Sequence, residues 1–125
     1  MEKIINVIPH SIQRYATVGD YKFIEDDKIL FTISKMDNDD YEFLVSIHEL
    51  IEEHLTRRRG LTEQEITAFD LEFKKSRGVG DESEAGFDKD CPYLKEHTLA
   101  TSIEMMLAAY MGISWEDYND TVNSL

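Results

Sequence analysis

One cysteine in 125 residues, Cys91, leaves no partner for an internal disulfide and excludes a cysteine-rich zinc site. With no disulfide framework, the expected setting is reducing and cytoplasmic. The apolar patch at the start, Met1 to Pro9, is interrupted by Asn6 and followed by no small-residue cleavage site, so it reads as a strand and not a signal peptide. Long hydrophobic runs are missing too: none approaches the roughly 18 residues of a membrane span, and no membrane partner is expected. Positive charge is scarce, with 13 basic against 26 acidic side chains and a net charge of -13. Such a surface repels a phosphate backbone, which argues against nucleic acid as a partner. The local exception, Arg57-Arg58-Arg59, closes a predicted helix, where it complements the dipole and nearby glutamates. There is no repeat, low-complexity tract or Pro/Ser linker to divide residues 1–125 into two domains.

What is present suffices for a core: 42% of residues are hydrophobic and 10% aromatic. The expected class is α+β, with a β-rich stretch over 1–36 and mainly helix over 37–125. Residues 3–8 read as a strand, and 21–24 with 29–35 read as a hairpin around Glu25-Asp26-Asp27-Lys28. Ile29, Phe31 and Ile33 alternate with Leu30, Thr32 and Ser34, so one face of this small antiparallel sheet or hairpin is wholly apolar and needs a cover. Three main helices and a short C-terminal one would supply it. Asp39 and Glu42 suggest a capping box for a helix over 40–59 that Gly60 ends. Thr62 and Glu65, with the staple pair Leu61 and Ile66, predict a helix over 63–75. Residues 76–92 show no period and form a long loop, either mobile or functional. Pro92 opens a helix that runs to Met111, and Ser114 caps the last one.

The informative residues are ionisable groups on apolar helix faces. At 100° per residue His48 falls inside the arc of Phe43, Leu44, Ile47, Leu50, Ile51 and Leu55, and Glu52 at its edge, while Glu49 and Glu53 point away. Asp70 lies among Ile66, Phe69 and Phe73. On the helix after Pro92 the expected buried stripe is Leu99, Ile103, Met106, Leu107 and Tyr110. Glu96 lies on it, His97 and Glu104 lie along its margin, and Ala100 between them leaves room for a ligand. Buried carboxylates pair, protonate or bind a cation. Histidines and carboxylates converging from packed helices suit zinc, manganese or iron. The candidate set is His48, Glu52 and His97, with Asp70 or Glu104 as a fourth ligand or as a group that orients the others. A pair such as His48 and Glu52 can equally be a hydrogen-bonded contact at the rim of the core.

Other residues offer less. His10 sits near a turn and reads as surface, and His54 as a packed or rim histidine. Cys91 stands at a helix start, where the dipole would lower its pKa, six residues before His97. The acidic loop Asp81 to Asp90 lacks the spaced ligands of a calcium loop, and Gly78-Val79-Gly80 is too short to cradle a phosphate.

Tyr41-Glu-Phe-Leu-Val-Ser-Ile-His48-Glu49-Leu-Ile-Glu52 follows a strand and resembles the active-site helix of the zincin metallopeptidases. The resemblance implies His48 as a zinc ligand and Glu49 as the base. Glu52 stands where that family has its second histidine, and His97 would restore the ligand count. More of the chain resembles a set of small uncharacterised bacterial and phage proteins, through Ile8-Pro-His-Ser, Gln13-Arg-Tyr, Thr17-Val-Gly-Asp20, Tyr41-Glu-Phe-Leu-Val with His48-Glu49, Pro92-Tyr with His97, and Gly112-Ile-Ser-Trp115 with Tyr118. That implies a source class and no activity. Glu49-Leu-Ile-Glu52 also matches half of the magnesium motif of the all-α nucleotide pyrophosphohydrolases, but Thr67 stands where the second half needs an acid before Asp70.

Two functions are expected from these residues. One is a divalent-metal-binding domain with a hydrolase-like site for a small molecule or peptide, in which Glu49 activates water. The alternative is a non-enzymatic accessory module that binds a protein partner, with an exposed apolar patch near Trp115 and Tyr118.

Overall fold

The computed structural model describes every residue of the chain except Val79 and Glu82. The sequence reading of Gly78-Val79-Gly80 therefore falls partly outside the described residues. The chain is α+β. Strands β1 (Glu2–Ile8), β2 (Gly19–Glu25) and β3 (Lys28–Ser34) form one sheet in the order β1-β3-β2. β2 and β3 make the expected antiparallel hairpin, but β1 joins the other edge of β3 in parallel, Glu2 opposite Lys28 and Ile8 opposite Ser34. The sheet is thus mixed rather than wholly antiparallel. The ten residues from Pro9 to Val18, including a 3-10 turn at His10–Ile12, carry the chain across to β2.

Strand β3 is central because its alternation gives it a face with no polar atom to satisfy: Ile29, Phe31 and Ile33 are all fully buried. Four helices follow, α1 (Asp39–Arg58), α2 (Glu63–Ser76), α3 (Leu94–Tyr110) and α4 (Trp115–Asn123). Asn38, rather than Asp39, caps α1 by accepting from Tyr41 N, while Glu42 turns back to accept from Met36 N. Thr62 and Ser114 cap α2 and α4 as expected. Gly60 and Gly112 end α1 and α3 at φ of 87° and 70°, where a side chain would be strained. α3 begins at Leu94, two residues after Pro92.

α1 and α3 run antiparallel, side by side: Arg59 beyond the end of α1 meets Glu96 near the start of α3, and His48 meets Glu104. Two apolar clusters result. One holds Tyr21, Ile29, Phe31, Ile66, Cys91 and Tyr93; the other holds Ile33, Leu44, Val45, Ala108 and Tyr118.

α3 differs from expectation in which face it buries. Glu96, His97, Ala100, Glu104 and Ala108 are inside, while Leu99, Met106 and Tyr110 face solvent. The small alanines let α1 approach closely, and the ionisable groups find partners there, which offsets the cost of taking them out of water. Glu49 and Glu53, expected to point away, also turn inward on the flank of α1 that meets the sheet. Glu53 is buried against the Arg57 guanidinium at 2.6 Å. No helix among the described residues is long and apolar enough to cross a membrane.

Phe31 tests this architecture, since its ring is fully enclosed in the first cluster. Phe31→Ala should lower the unfolding free energy by about 3–5 kcal/mol, read from urea denaturation; a loss under about 1 kcal/mol would contradict a core centred on β3.

Candidate functional site

Four ionisable side chains meet between the two apolar clusters. α1 offers His48 and Glu52, which its 3.6-residue turn stacks on one face, and α3 offers His97 and Glu104, two turns apart on its buried face. Ala100, fully buried between them, leaves space above the α3 backbone. Three atoms converge: His48 Nε2 and Glu52 Oε2 are 3.0 Å apart, His97 Nδ1 and Glu52 Oε2 2.9 Å, and the two ring nitrogens 3.1 Å. These residues form the one cluster of metal-capable side chains found among the described residues.

The outer ring nitrogens decide what the inner ones can do. His48 Nδ1 lies 2.7 Å from Glu104 Oε1, and His97 Nε2 lies 2.8 Å from Glu84 Oε2. A carboxylate only accepts, so each outer nitrogen carries its proton. In the neutral tautomers this leaves the inner nitrogens as lone pairs, both aimed at a third lone pair on Glu52. Putting protons on both instead sets two N–H groups against each other across 3.1 Å. A proton on one inner nitrogen, donated to Glu52 or to the other ring, relieves this crowding, and a cation at the convergence point would satisfy all three atoms as well. Glu104 is itself held, accepting a 2.5 Å hydrogen bond from the Tyr118 hydroxyl.

The acid–base properties follow from these contacts. Burial lowers the His48 pKa, but hydrogen bonds to Glu104 and Glu52 outweigh it and raise the group well above its ordinary value. Burial likewise opposes His97, and its bonds to Glu52 and Glu84 win, bringing it to about 9. Burial would raise Glu52, but the two imidazoles bring it down to about 2. Glu84 is lowered chiefly by its bond to His97.

A cavity of about 320 Å³ opens beside this cluster, lined in part by Glu49, Asp20, Tyr21, Asp70 and Tyr93. Glu49 makes no hydrogen bond or ion pair to any described residue. Burial and the neighbouring Glu52 carboxylate raise its pKa well above the usual range, against the opposing pull of His48. Its side chain packs on Gly19, where an added Cβ would lie 2.6 Å from Oε1, so the approach of β2 to α1 needs a glycine there. Asp20 is clamped by Arg14 at 2.5 and 2.9 Å. The Tyr21 hydroxyl is buried with no hydrogen-bond partner among the described residues.

The structure thus brings His48, Glu52 and His97 together, with Glu104 behind His48. Asp70 is not with them: it accepts hydrogen bonds from the Tyr15 and Tyr93 hydroxyls on another wall of the cavity, where burial raises it to about 6. Glu96 is taken up by Arg59 at 2.6 Å. Cys91, expected to have a lowered pKa, is instead pushed up to about 12 by burial in the first cluster. His10 is half-buried, its Nδ1 2.8 Å from Ser34 Oγ, and His54 is exposed. Sequence reasoning missed Glu84, Gly86, Gly19 and Tyr118. The signal for the first two was the unusual length of the 76–92 loop, which returns across α3 to place Glu84 on His97 and Gly86 against its ring.

No protein family, curated protein or solved structure matches the chain. A functional reading therefore stands on the geometry.

Two outcomes check that geometry. A Cβ on Gly86 would lie 2.2 Å from His97 Cγ. Gly86→Ala should therefore cost about 1–3 kcal/mol and displace the ring, seen as a changed His97 titration by NMR; an unchanged titration would place the loop elsewhere. The second concerns metal-free protein. His97, raised from 6.5 to about 9, contributes stability below pH 6.5 that is lost as pH rises through 9. Glu52, lowered from 4.5 to about 2, contributes above pH 4.5 and loses that as pH falls through 2. Raised Glu49 and Asp70 also cost more as pH rises. The melting temperature of chelator-treated protein should fall from pH 6.5 to 9, and a rise over that interval would contradict the network.

Proposed function

We propose that this protein binds a divalent cation through His48, Glu52 and His97 and uses it in hydrolysis. The observation that carries the reading is the pair of imidazoles whose outer nitrogens are committed to Glu104 and Glu84, leaving their inner nitrogens pointed at one carboxylate oxygen. Carboxylate–histidine pairs of this kind fix the tautomer and raise the basicity of a metal ligand. The separations of 2.9–3.1 Å among the three atoms fall a few tenths of an ångström short of those around a tetrahedral ion with bonds of about 2.0–2.2 Å. Binding would require small side-chain rotations to open these separations. Two nitrogens and one oxygen match zinc best among zinc, manganese and iron, and three protein ligands leave a position open for water.

Glu49 supplies the remaining chemistry. It neighbours His48 in sequence, lines the cavity and has no other described partner. A raised pKa suits a base that must take a proton near neutral pH and return it. The cation, held by His48, Glu52 and His97, would polarise a water for attack on a scissile carbonyl, and Glu49 is the group placed to accept that water's proton and return it to the leaving group. The Tyr21 hydroxyl is available as a donor in the same cavity. The zincin resemblance of the α1 segment supports the same roles for His48 and Glu49, with Glu52 in place of a histidine. Of the available occupants, a small molecule or short peptide fits a cavity of this size.

Elemental analysis of tag-free protein purified without chelators should find close to one zinc per chain. His48→Ala should lose it, since removing a ligand typically costs orders of magnitude in affinity, while Glu49→Gln should keep the metal and lose hydrolysis of a peptide or ester panel. Full metal retention by His48→Ala would end the assignment. Affinity should strengthen from pH 6 to 9 as protons leave the imidazoles, so calorimetry in buffers of differing ionisation enthalpy should record proton release on binding.

A further inference from the structure

Of the apolar residues expected inside α3, Leu107 packs against the second cluster, but the other four lie along its outer side and are ordered. Leu99, Ile103, Met106 and Tyr110 follow one another at intervals of four, three and four residues, which places them along one stripe of the helix. Leu99 is 46% exposed, Met106 71% and Tyr110 90%. On the neighbouring helix Phe43, Ile47, Ile51 and Leu55 recur every four residues on the side away from the sheet, Phe43 being 44% exposed. Leu55 and Leu99 line one shallow groove between the helices, so the two stripes adjoin. None of these eight side chains belongs to either core cluster. Tyr118 is buried on Glu104 and Trp115 packs, partly buried, against the second cluster, so neither side chain lies in an exposed apolar patch as expected.

We infer that this α1–α3 face is where a second copy of the chain docks, the two helix pairs forming a four-helix bundle about a two-fold axis. Three features select a second copy over another partner. The eight side chains offer on the order of 600 Å² of apolar surface, the lower end of what one partner gives a standard interface. A 4-3-4 stripe is the pattern by which one helix interdigitates with another of the same kind. The ends of the face are also of opposite charge: Arg58 and Lys95 at one, Asp39 and Asp40 at the other, all exposed. A two-fold axis perpendicular to α1 lays each basic end on the partner's acidic end, which satisfies the self-complementarity that an isologous interface requires. In a chain of net charge -13, an unmatched encounter of two copies would be repulsive.

The test is sedimentation equilibrium on the full chain at about 50 μM, metal-loaded and metal-free. The expected mass is twice 14.5 kDa. Met106→Glu and Tyr110→Glu, at exposed positions away from the metal-capable cluster, should each give a monomer with unchanged circular dichroism. Met105→Glu, on the opposite arc of α3, should leave the dimer intact. Arg58→Glu should weaken association at least tenfold, and adding Asp40→Arg should restore it if the ends meet as described. A wild-type monomer at this concentration, or a dimer indifferent to both Met106→Glu and Tyr110→Glu, would overturn the inference. Because the read-out is mass, failure of the metal reading would leave this result unaffected.

Discussion

The buried contact between α1 and α3 is the constraint on which the other features depend. Where two core helices ordinarily meet through leucines, these meet through His48–Glu104 at 2.7 Å and a shared Glu52–His97 contact at 2.9 Å. Such a layer holds only if every member is satisfied, because each carboxylate or imidazole left alone in the interior costs several kcal/mol. The surrounding structure is arranged to meet that condition. Tyr118 on α4 reaches Glu104, the loop before α3 returns Glu84 to His97, and Arg59 neutralises Glu96 at the end of the pair. At the convergence of His48, Glu52 and His97 three potential acceptors are packed together, and beside it Glu49 and the Tyr21 hydroxyl have no hydrogen-bond partner among the described residues.

The same constraint explains the two apolar clusters and the open face. With its innermost positions occupied by Glu96, His97 and Glu104, α3 fully buries only Ala100 and Ala108 as apolar residues, while Leu94 and Leu107 pack partly buried against the two clusters. Leu99, Ile103, Met106 and Tyr110 are displaced outward, which produces the stripe from Leu99 to Tyr110. The core then divides on either side of the polar layer, one part around Phe31 and one around Tyr118. A helix built in this way has a hydrophobic exterior because its inward positions hold paired ionisable groups.

Much of this could be read from residue order. The apolar face of β3, the caps at Thr62 and Ser114, and the stops at Gly60 and Gly112 are local signals, and the elements follow them closely. His48 and Glu52 were legible because a turn of helix puts them together whatever surrounds it. The parallel pairing of β1 was not, since its residues alternate no differently for a parallel neighbour. The burial of α3 was misread for a related reason: periodicity identifies an apolar stripe but does not say whether this chain or another covers it. The inward turn of Glu49 depends on Gly19, thirty positions earlier, and no spacing within α1 carries that information.

Asp70 shows how far chemical type alone can mislead about role. It lies on an apolar helix face, as His48 does, yet its two tyrosine partners supply O–H donors and leave no lone pair facing other acceptors. A carboxylate satisfied by donors is content without a cation. Glu52 is approached instead by two nitrogens whose role turns on their protonation: they donate to it when the rings are charged, which holds Glu52 low, and become acceptors when the rings are neutral. The proton inventory of the neighbours therefore separates a carboxylate with fixed donors from one whose partners can release their protons. By that measure Glu52 differs from Asp70 and from the arginine-paired Glu53 and Glu96.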